Sequence, residues 1–167
     1  YRRDTNTKVF LGEYASKGNA WYNALSEAAF MTGLERNADV VRMASYAPMF
    51  AKYGNTQWSA ADMIWFNNLE SLPTVNYQVQ KLFANNKGTD LLRVSTKGEV
   101  LTGQEGIYAS AVKDSVNSAT IVKLVNTGNT EQAVKINLNS RVENSPVSIT
   151  TLASDQLDKE NTFANPA

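Results

Sequence analysis

The 167-residue sequence contains neither cysteine nor histidine. Without cysteine the chain has no disulfide framework, no thiolate zinc site and no cysteine nucleophile. Without histidine it lacks a Ser-His-Asp triad and the imidazole ligands of most metal sites. Acid–base chemistry therefore has to come from Asp, Glu, Lys or Tyr. An initiator Met, a signal-peptide pattern and an apolar run near the ~20 residues of a membrane span are missing too, and we expect a piece of a longer protein.

An excess of charge of either sign is also missing. The 16 Lys and Arg residues balance the 16 Asp and Glu residues. This balance argues against nucleic-acid binding through bulk positive charge and against a polybasic membrane anchor. Hydrophobic residues make up 43% of the chain, which is enough for a packed core and excludes wholesale disorder. The length allows one domain or two small ones.

The composition changes near residue 90. All three Trp, all four Met and five of the six Phe precede Leu91, and a polar stretch, Asn85–Asp90, marks the change. The first part alternates between short apolar runs and helical periodicity, which favours a parallel α/β sheet or barrel. Its predicted elements are a strand over 8–12, a helix from Trp21 to about Arg36, a helix or strand after Asp39, extended segments over 47–52 and 62–66, and a helix from about Thr74.

The second part predicts strands only. Alternating segments lie at 106–112, 120–125, 133–138 and 147–152, and Asn126–Asn129 is typical of a hairpin turn. Strands at this spacing suggest an antiparallel β-sandwich. We therefore expect an α/β unit over 1–89 and an all-β domain over 90–167.

Glu13 is the most informative residue for chemistry. It follows an apolar strand and Gly12, at the end of a parallel strand where ligands bind in α/β folds. Tyr14, Trp21 and Tyr22 come soon after it. Carboxylates among aromatic rings suit sugar chemistry. From these residues alone, a structural glutamate that caps the next helix or pairs with a basic neighbour stays the stronger interpretation.

A longer run of residues favours the functional interpretation of Glu13 over the structural one. The segment Val9-Phe10-Leu11-Gly12-Glu13-Tyr14-Ala15-Ser16 resembles the nucleophile segment of α-L-arabinofuranosidases of glycoside hydrolase family 51. The resemblance is dense from Val9 to Gly88 and thinner beyond. It continues in the same order through 23–37, 39–48, 57–66 and 76–83.

The resemblance implies the C-terminal portion of a (β/α)8 barrel followed by a β-sandwich that we expect to be incomplete. The implied activity is retaining hydrolysis of terminal α-L-arabinofuranosyl groups in arabinose-containing glycans, with Glu13 as nucleophile at the end of the seventh strand. Retention requires a second carboxyl group roughly 5 Å away. In the family it lies in an Asn-Glu pair after the fourth strand, and no such pair precedes Glu13. The acid/base therefore lies outside this chain, and we expect the isolated chain to be inactive.

Three further residues are predicted to bind the sugar: Tyr14, Trp58 and Asp62. For Trp58, packing is an equal alternative, and for Asp62 a helix or turn cap is the stronger one. Other polar and aromatic residues are predicted to be structural. Asn19 is expected to cap a helix and Trp21 to pack on it, whereas Glu27, Glu35 and Asp39 are expected at helix surfaces or caps.

Two other classes of function stay open for this sequence. The β part could be a non-catalytic structural or carbohydrate-binding module, and its scarcity of aromatic residues favours the structural version. Alternatively, the parent could be a xylosidase or glucanase with the same barrel. No cofactor and no metal are expected. The expected partners are an arabinose-containing glycan, the rest of the catalytic barrel and further copies of the chain in a homo-oligomer. Family analogy implies a secreted or periplasmic protein.

Overall fold

The computed structural model describes residues 6–57, 62–139 and 146–166. Its first half contains the strands β1 (Val9–Tyr14), β2 (Val41–Tyr46), β3 (Phe50–Lys52), β4 (Ile64–Phe66) and β5 (Ser71–Pro73), with the helices α1 (Trp21–Arg36) and α2 (Val75–Asn85). The helix predicted from Trp21 to Arg36 is present with these bounds. The ambiguous segment after Asp39 forms the strand β2.

The unit β1–α1–β2 is a parallel β-α-β crossover. Val9 pairs with Val41 and Tyr14 with Tyr46, so the carboxyl ends of both strands lie side by side. The register shifts between Leu11 and Tyr14, which disturbs the regular ladder around Glu13. This unit fixes the edge at which any ligand of the two strands would bind.

Helix α1 has polar groups at both of its ends. Asn23 Oδ1 accepts a hydrogen bond from the Ala20 backbone N–H at 3.2 Å. At the other end, Asn37 Nδ2 donates to the Gly33 carbonyl at 2.7 Å. These contacts pair backbone groups that a helix terminus leaves unsatisfied.

The strands β3, β4 and β5 form a small sheet between β2 and α2. β3 is parallel to β4, and β4 is antiparallel to β5. Thr74 follows β5 and begins α2, where its hydroxyl accepts a hydrogen bond from the Tyr77 N–H. A threonine at this position is a favourable helix cap, which explains the predicted helix start.

The second half contains β6 (Asp90–Leu92), β7 (Ser95–Thr96), β8 (Glu99–Val100), β9 (Ile107–Asp114) and β10 (Ala119–Asn126). β9 is the central strand of an antiparallel sheet in the order β10-β9-β6, and β7 pairs with β8. A core of Ala24, Ala28, Val79 and Val125 joins the two helices to β10. The sheet therefore packs directly against α1.

The predicted strands at 133–138 and 147–152 are wrong: both segments lack regular secondary structure. Their apolar side chains are exposed, with Ile136 at 51% and Ile149 at 85%. Alternation favours a strand only where a neighbouring edge and a face to pack on are available. The described residues therefore contain one layer of the expected sandwich. They contain no closed barrel either: the molecule is small, mostly sheet, with two α-helices.

The last described segment returns to the first half of the chain. The carbonyls of Leu157 and Lys159 accept hydrogen bonds from the N–H groups of Tyr22 and Trp21, at the start of α1. Phe163 packs beside the buried cluster of β3, β4 and β5. Across the described ranges, neither helix is long and apolar enough to cross a membrane.

Candidate active site

The carboxyl ends of β1 and β2 present one carboxylate and two tyrosines. Glu13 lies on β1 one residue before its end, rather than after the strand as predicted, and its side chain is exposed. Among the described residues, its carboxylate makes no hydrogen bond and no ion pair. Tyr14 and Tyr46 lie beside it with ring centroids 5.6 Å apart at 74°. An exposed, unpaired carboxylate next to aromatic rings is available to a ligand.

A second carboxylate, that of Glu27, lies buried behind this edge. Its residue is 3% exposed. Glu27 Oε1 accepts hydrogen bonds from the Ser16 N–H at 2.9 Å, the Tyr46 hydroxyl at 3.0 Å and Asn76 Nδ2 at 2.9 Å. Oε2 accepts one from Gln80 Nε2 at 3.1 Å. The carboxylate thereby joins the loop after β1, the end of β2 and α2.

Burial controls the ionisation of this group and its neighbours. Desolvation raises the pKa of Glu27, although its four hydrogen bonds favour the charged form and oppose the shift. Burial, together with the nearby Glu27 charge, raises the pKa of Tyr14 to about 12. The same two causes, in the same order, raise the pKa of Tyr46. Both phenols therefore stay protonated at neutral pH and can donate hydrogen bonds.

Asn19 is the centre of a second buried cluster. Its Nδ2 donates to the Asp62 carbonyl at 2.8 Å and to Asn76 Oδ1 at 3.1 Å, while its Oδ1 accepts from Trp65 Nε1 at 2.9 Å. The expectation that Asn19 caps a helix is therefore wrong, because its side chain joins the loop after β1 to β4 and α2. Asn76 belongs to both clusters and connects them.

Asp62 is fully buried, and neither of its side-chain oxygens has a hydrogen-bond partner among the residues that the structure describes. Desolvation accordingly raises the pKa of this carboxyl group. Its backbone carbonyl, not its carboxylate, holds Asn19. Its predicted role as a sugar ligand stays a prediction. Trp58, another predicted sugar ligand, lies outside the described residues.

The expectation of a surface position is wrong for Glu27. Along α1 it lies between the buried residues Ala24 and Ala28 and four residues before Met31, so it belongs to the apolar face. A charged residue within an apolar stripe was the available signal. This signal is weak because glutamate is rarely buried without a partner, and the partners of Glu27 come from distant parts of the chain.

Glu35 and Asp39, both expected at helix surfaces or caps, lie in different environments. Glu35 forms a salt bridge with Lys123 of β10 and accepts a hydrogen bond from the Ser110 hydroxyl of β9 at 2.6 Å. It therefore joins α1 to the second half of the chain, whereas Asp39 is exposed after the helix. Trp21 begins α1 and is half-buried, as its expected packing role requires.

The described residues contain no group of three or more His, Cys, Asp or Glu side chains that could hold a metal ion. What they bring together is an exposed glutamate at the carboxyl end of a parallel strand, with aromatic and buried polar groups behind it. In α/β folds, ligands bind at this end of the strands.

Comparison with known proteins identifies the family. Residues 8–167 match the family model described as the α-L-arabinofuranosidase C-terminal domain. The chain therefore belongs to this C-terminal domain family, and the resemblance to glycoside hydrolase family 51 is confirmed by a solved member of that family.

Individual relatives agree with this assignment. An extracellular exo-α-L-arabinofuranosidase of Streptomyces chartreusis is 57% identical over 105 residues, covering 60% of this chain and 13% of that protein. Alpha-L-arabinofuranosidase 2 of Arabidopsis thaliana is 35% identical over 171 residues, covering 95% of this chain and 24% of that protein. A solved arabinose-bound α-L-arabinofuranosidase of family 51 matches with a TM-score of 0.68 and 32% identity, over 77% of this chain and 22% of that one. The chain thus spans at most about a quarter of these relatives' length.

Proposed function

We propose that this chain is the C-terminal part of a retaining α-L-arabinofuranosidase in which Glu13 is the nucleophile. The observation that carries the proposal is the position of Glu13, whose exposed and unpaired carboxylate lies at the carboxyl end of a parallel strand. A nucleophile has to reach its substrate without being held by a neighbouring cation. Membership of the arabinofuranosidase family supplies the sugar class.

In this mechanism Glu13 attacks the anomeric carbon as the glycosidic bond breaks, which gives a covalent glycosyl-enzyme. A second carboxyl group, roughly 5 Å away, protonates the departing oxygen and then deprotonates the water that releases the sugar. We place this acid/base in the part of the enzyme outside this chain. It follows that the isolated chain should not turn over substrate.

Tyr14, Trp58 and Asp62 are our proposed sugar-binding residues. Tyr14 is the best supported, because it adjoins Glu13 and its ring lies at the same edge. Its hydroxyl donates to Gln80 Oε1 at 2.7 Å, and its ring contacts those of Phe30 and Tyr46, each with centroids 5.6 Å away, so a sugar would meet the part of the ring that these contacts leave uncovered. The expected ligand is the terminal arabinofuranosyl group of a polysaccharide or oligosaccharide.

We propose that residues 1–89 form the last units of a (β/α)8 barrel and residues 90–167 a β-sandwich. Phe10 and Met43 are register partners on β1 and β2 that remain 57% and 61% exposed. Strands contributed by the rest of the barrel would cover them, and without those strands the chain should self-associate. Because the Streptomyces relative is described as extracellular, we propose that the parent protein is secreted or periplasmic.

The test uses the full-length protein that contains this chain. A slowly hydrolysed arabinofuranosyl substrate should label the peptide that carries Glu13, as read by mass spectrometry. Glu13→Ala should lower turnover by at least about 1000-fold, whereas Glu70→Ala, at an exposed position, should not. Labelling of another carboxylate, or full activity of Glu13→Ala, would refute the assignment.

A further inference from the structure

The buried carboxylate of Glu27 is connected to the chain at two positions that closely follow Glu13, Tyr14 and Ser16. Ser16, three residues after Glu13, donates its backbone N–H directly to Glu27 Oε1 at 2.9 Å. Tyr14, the next residue, donates its hydroxyl to Gln80 Oε1 at 2.7 Å, and Gln80 Nε2 donates to Glu27 Oε2 at 3.1 Å. Both connections converge on one carboxylate.

The local backbone increases the importance of these connections. The pairing of β1 with β2 shifts register between Leu11 and Tyr14, so the ladder around Glu13 is irregular. An irregular ladder positions a side chain less firmly than a regular one. The Glu13 side chain makes no hydrogen bond or ion pair within the described ranges, so polar contacts near it come from the following residues Tyr14 and Ser16.

A purely structural role is an incomplete account of Glu27. Burying a carboxylate is costly, and an apolar residue at this place on α1 would serve packing better. Its four hydrogen-bond donors are all neutral and come from the loop after β1, the end of β2 and α2. An acceptor with two oxygens can hold these elements in one arrangement, which an apolar side chain cannot do.

We propose that Glu27 is a positioning residue for the nucleophile: it fixes Tyr14, through Gln80, and Ser16, and thereby orients the carboxylate of Glu13, which precedes them. The inference rests on the proposed function of Glu13. It predicts that loss of Glu27 impairs attack by Glu13 more than it impairs sugar binding, so kcat falls while KM changes little.

The decisive experiment is a double-mutant cycle in the full-length enzyme, with an aryl α-L-arabinofuranoside as substrate. Glu27→Gln is made once with Glu13 present and once in Glu13→Gly. In the second background, azide ion replaces the missing carboxylate: it bonds to the anomeric carbon as the aryloxide leaves, giving a glycosyl azide. Azide diffuses into the site, so its attack does not depend on the orientation of a Glu13 side chain.

With Glu13 present, Glu27→Gln should lower kcat by about 100-fold, as expected for a misplaced reacting group. In Glu13→Gly with azide, it should change the rate by less than about twofold, the scatter of independent effects. Glu35→Gln on the same helix is the matched control and should leave both rates unchanged. If Glu27→Gln fails to fold, judged by its thermal transition, Gln80→Leu breaks the Tyr14 connection and should show the same selectivity for the Glu13 background.

An equal loss in both backgrounds would overturn the inference, because it would mean that Glu27 supports the site as a whole. An unchanged rate in both would overturn it as well. Failure of the proposed function has a different signature, since Glu13→Gly would then keep its activity without azide.

Discussion

The substitution Asn76→Asp tests the buried network most directly, because it adds a second carboxylate without changing the shape of the side chain. Asn76 is fully buried. Its Nδ2 donates to Glu27 Oε1 at 2.9 Å, and its Oδ1 accepts from Asn19 Nδ2 at 3.1 Å. The aspartate keeps the second contact and converts the first into a close approach of two carboxylate oxygens.

The expected cost follows from the 2.9 Å distance. Two unit charges that close repel by about 6 kcal/mol at an effective dielectric constant of about 20. Protonating one ordinary carboxyl group at pH 7 costs only about 4 kcal/mol, so the pair should take up one proton and share it. Asn76→Asp should therefore lower the free energy of unfolding by about 4 kcal/mol at pH 7. The penalty should shrink as the pH falls towards 4.5, the ordinary pKa of a glutamate.

The measurement is the thermal transition of the full-length variant across this pH range, relative to the unsubstituted protein. Asn117→Asp is the matched control, because Asn117 Nδ2 contacts Asp114 Oδ2 at 2.7 Å at an exposed site. There water and salt screen the new pair and the side chains can separate, so its effect should be small and should vanish at high ionic strength. A penalty for Asn76→Asp that is the same at pH 4.5 and pH 7 would refute the reasoning.

Two further predictions concern stability. Burial raises the pKa of Glu27 above its ordinary 4.5, so its contribution to stability is complete below that pH and is lost as the pH rises through the folded-state pKa. Melting curves should therefore show that the advantage of the unsubstituted protein over Glu27→Gln decreases as the pH rises above 4.5; an advantage that grows with pH would contradict this. The salt bridge between Glu35 and Lys123 is mostly shielded, with side-chain exposures of 21% and 10%. A double-mutant cycle of Glu35→Gln and Lys123→Met should give a coupling energy of about 1–3 kcal/mol, and a value near zero would mean that α1 and β10 are joined by apolar packing alone.

Local signals in the sequence were sufficient for the two helices of the first half, but not for β2, which stayed ambiguous, or for β5, which was not predicted. Helix α1 combines an apolar stripe with polar residues that pair with its ends, and Thr74 caps α2 directly after Pro73. Such interactions act within a few residues, so the printed sequence contains them. The predicted strands at 133–138 and 147–152 depended on a partner strand elsewhere in the chain, and local alternation does not reveal whether such a partner exists.

The residues of the candidate site also differ in whether a short sequence pattern could predict their surroundings. The position of Glu13 at a strand end follows from a short motif, and the resemblance of the surrounding segments assigned its role. The burial of Glu27 depends on Tyr46, Asn76 and Gln80, which lie 19, 49 and 53 residues away. No local pattern brings these residues together, so the charge on an apolar helical face was the only sign of them.

The exposure of Glu13 and the burial of Glu27 have a common physical explanation. A nucleophilic carboxylate must be exposed and unpaired, and these conditions leave it without contacts that would hold it still. The enzyme can meet both requirements if the rigid contacts are made by the neighbours of Glu13 instead of by Glu13 itself. Tyr14 and Ser16 supply those contacts, and they end on a carboxylate that is buried and therefore inaccessible to substrate. Under the proposed roles, burial separates the two glutamates: the carboxylate of Glu13 is exposed and available to react, whereas that of Glu27 is taken up by four hydrogen bonds.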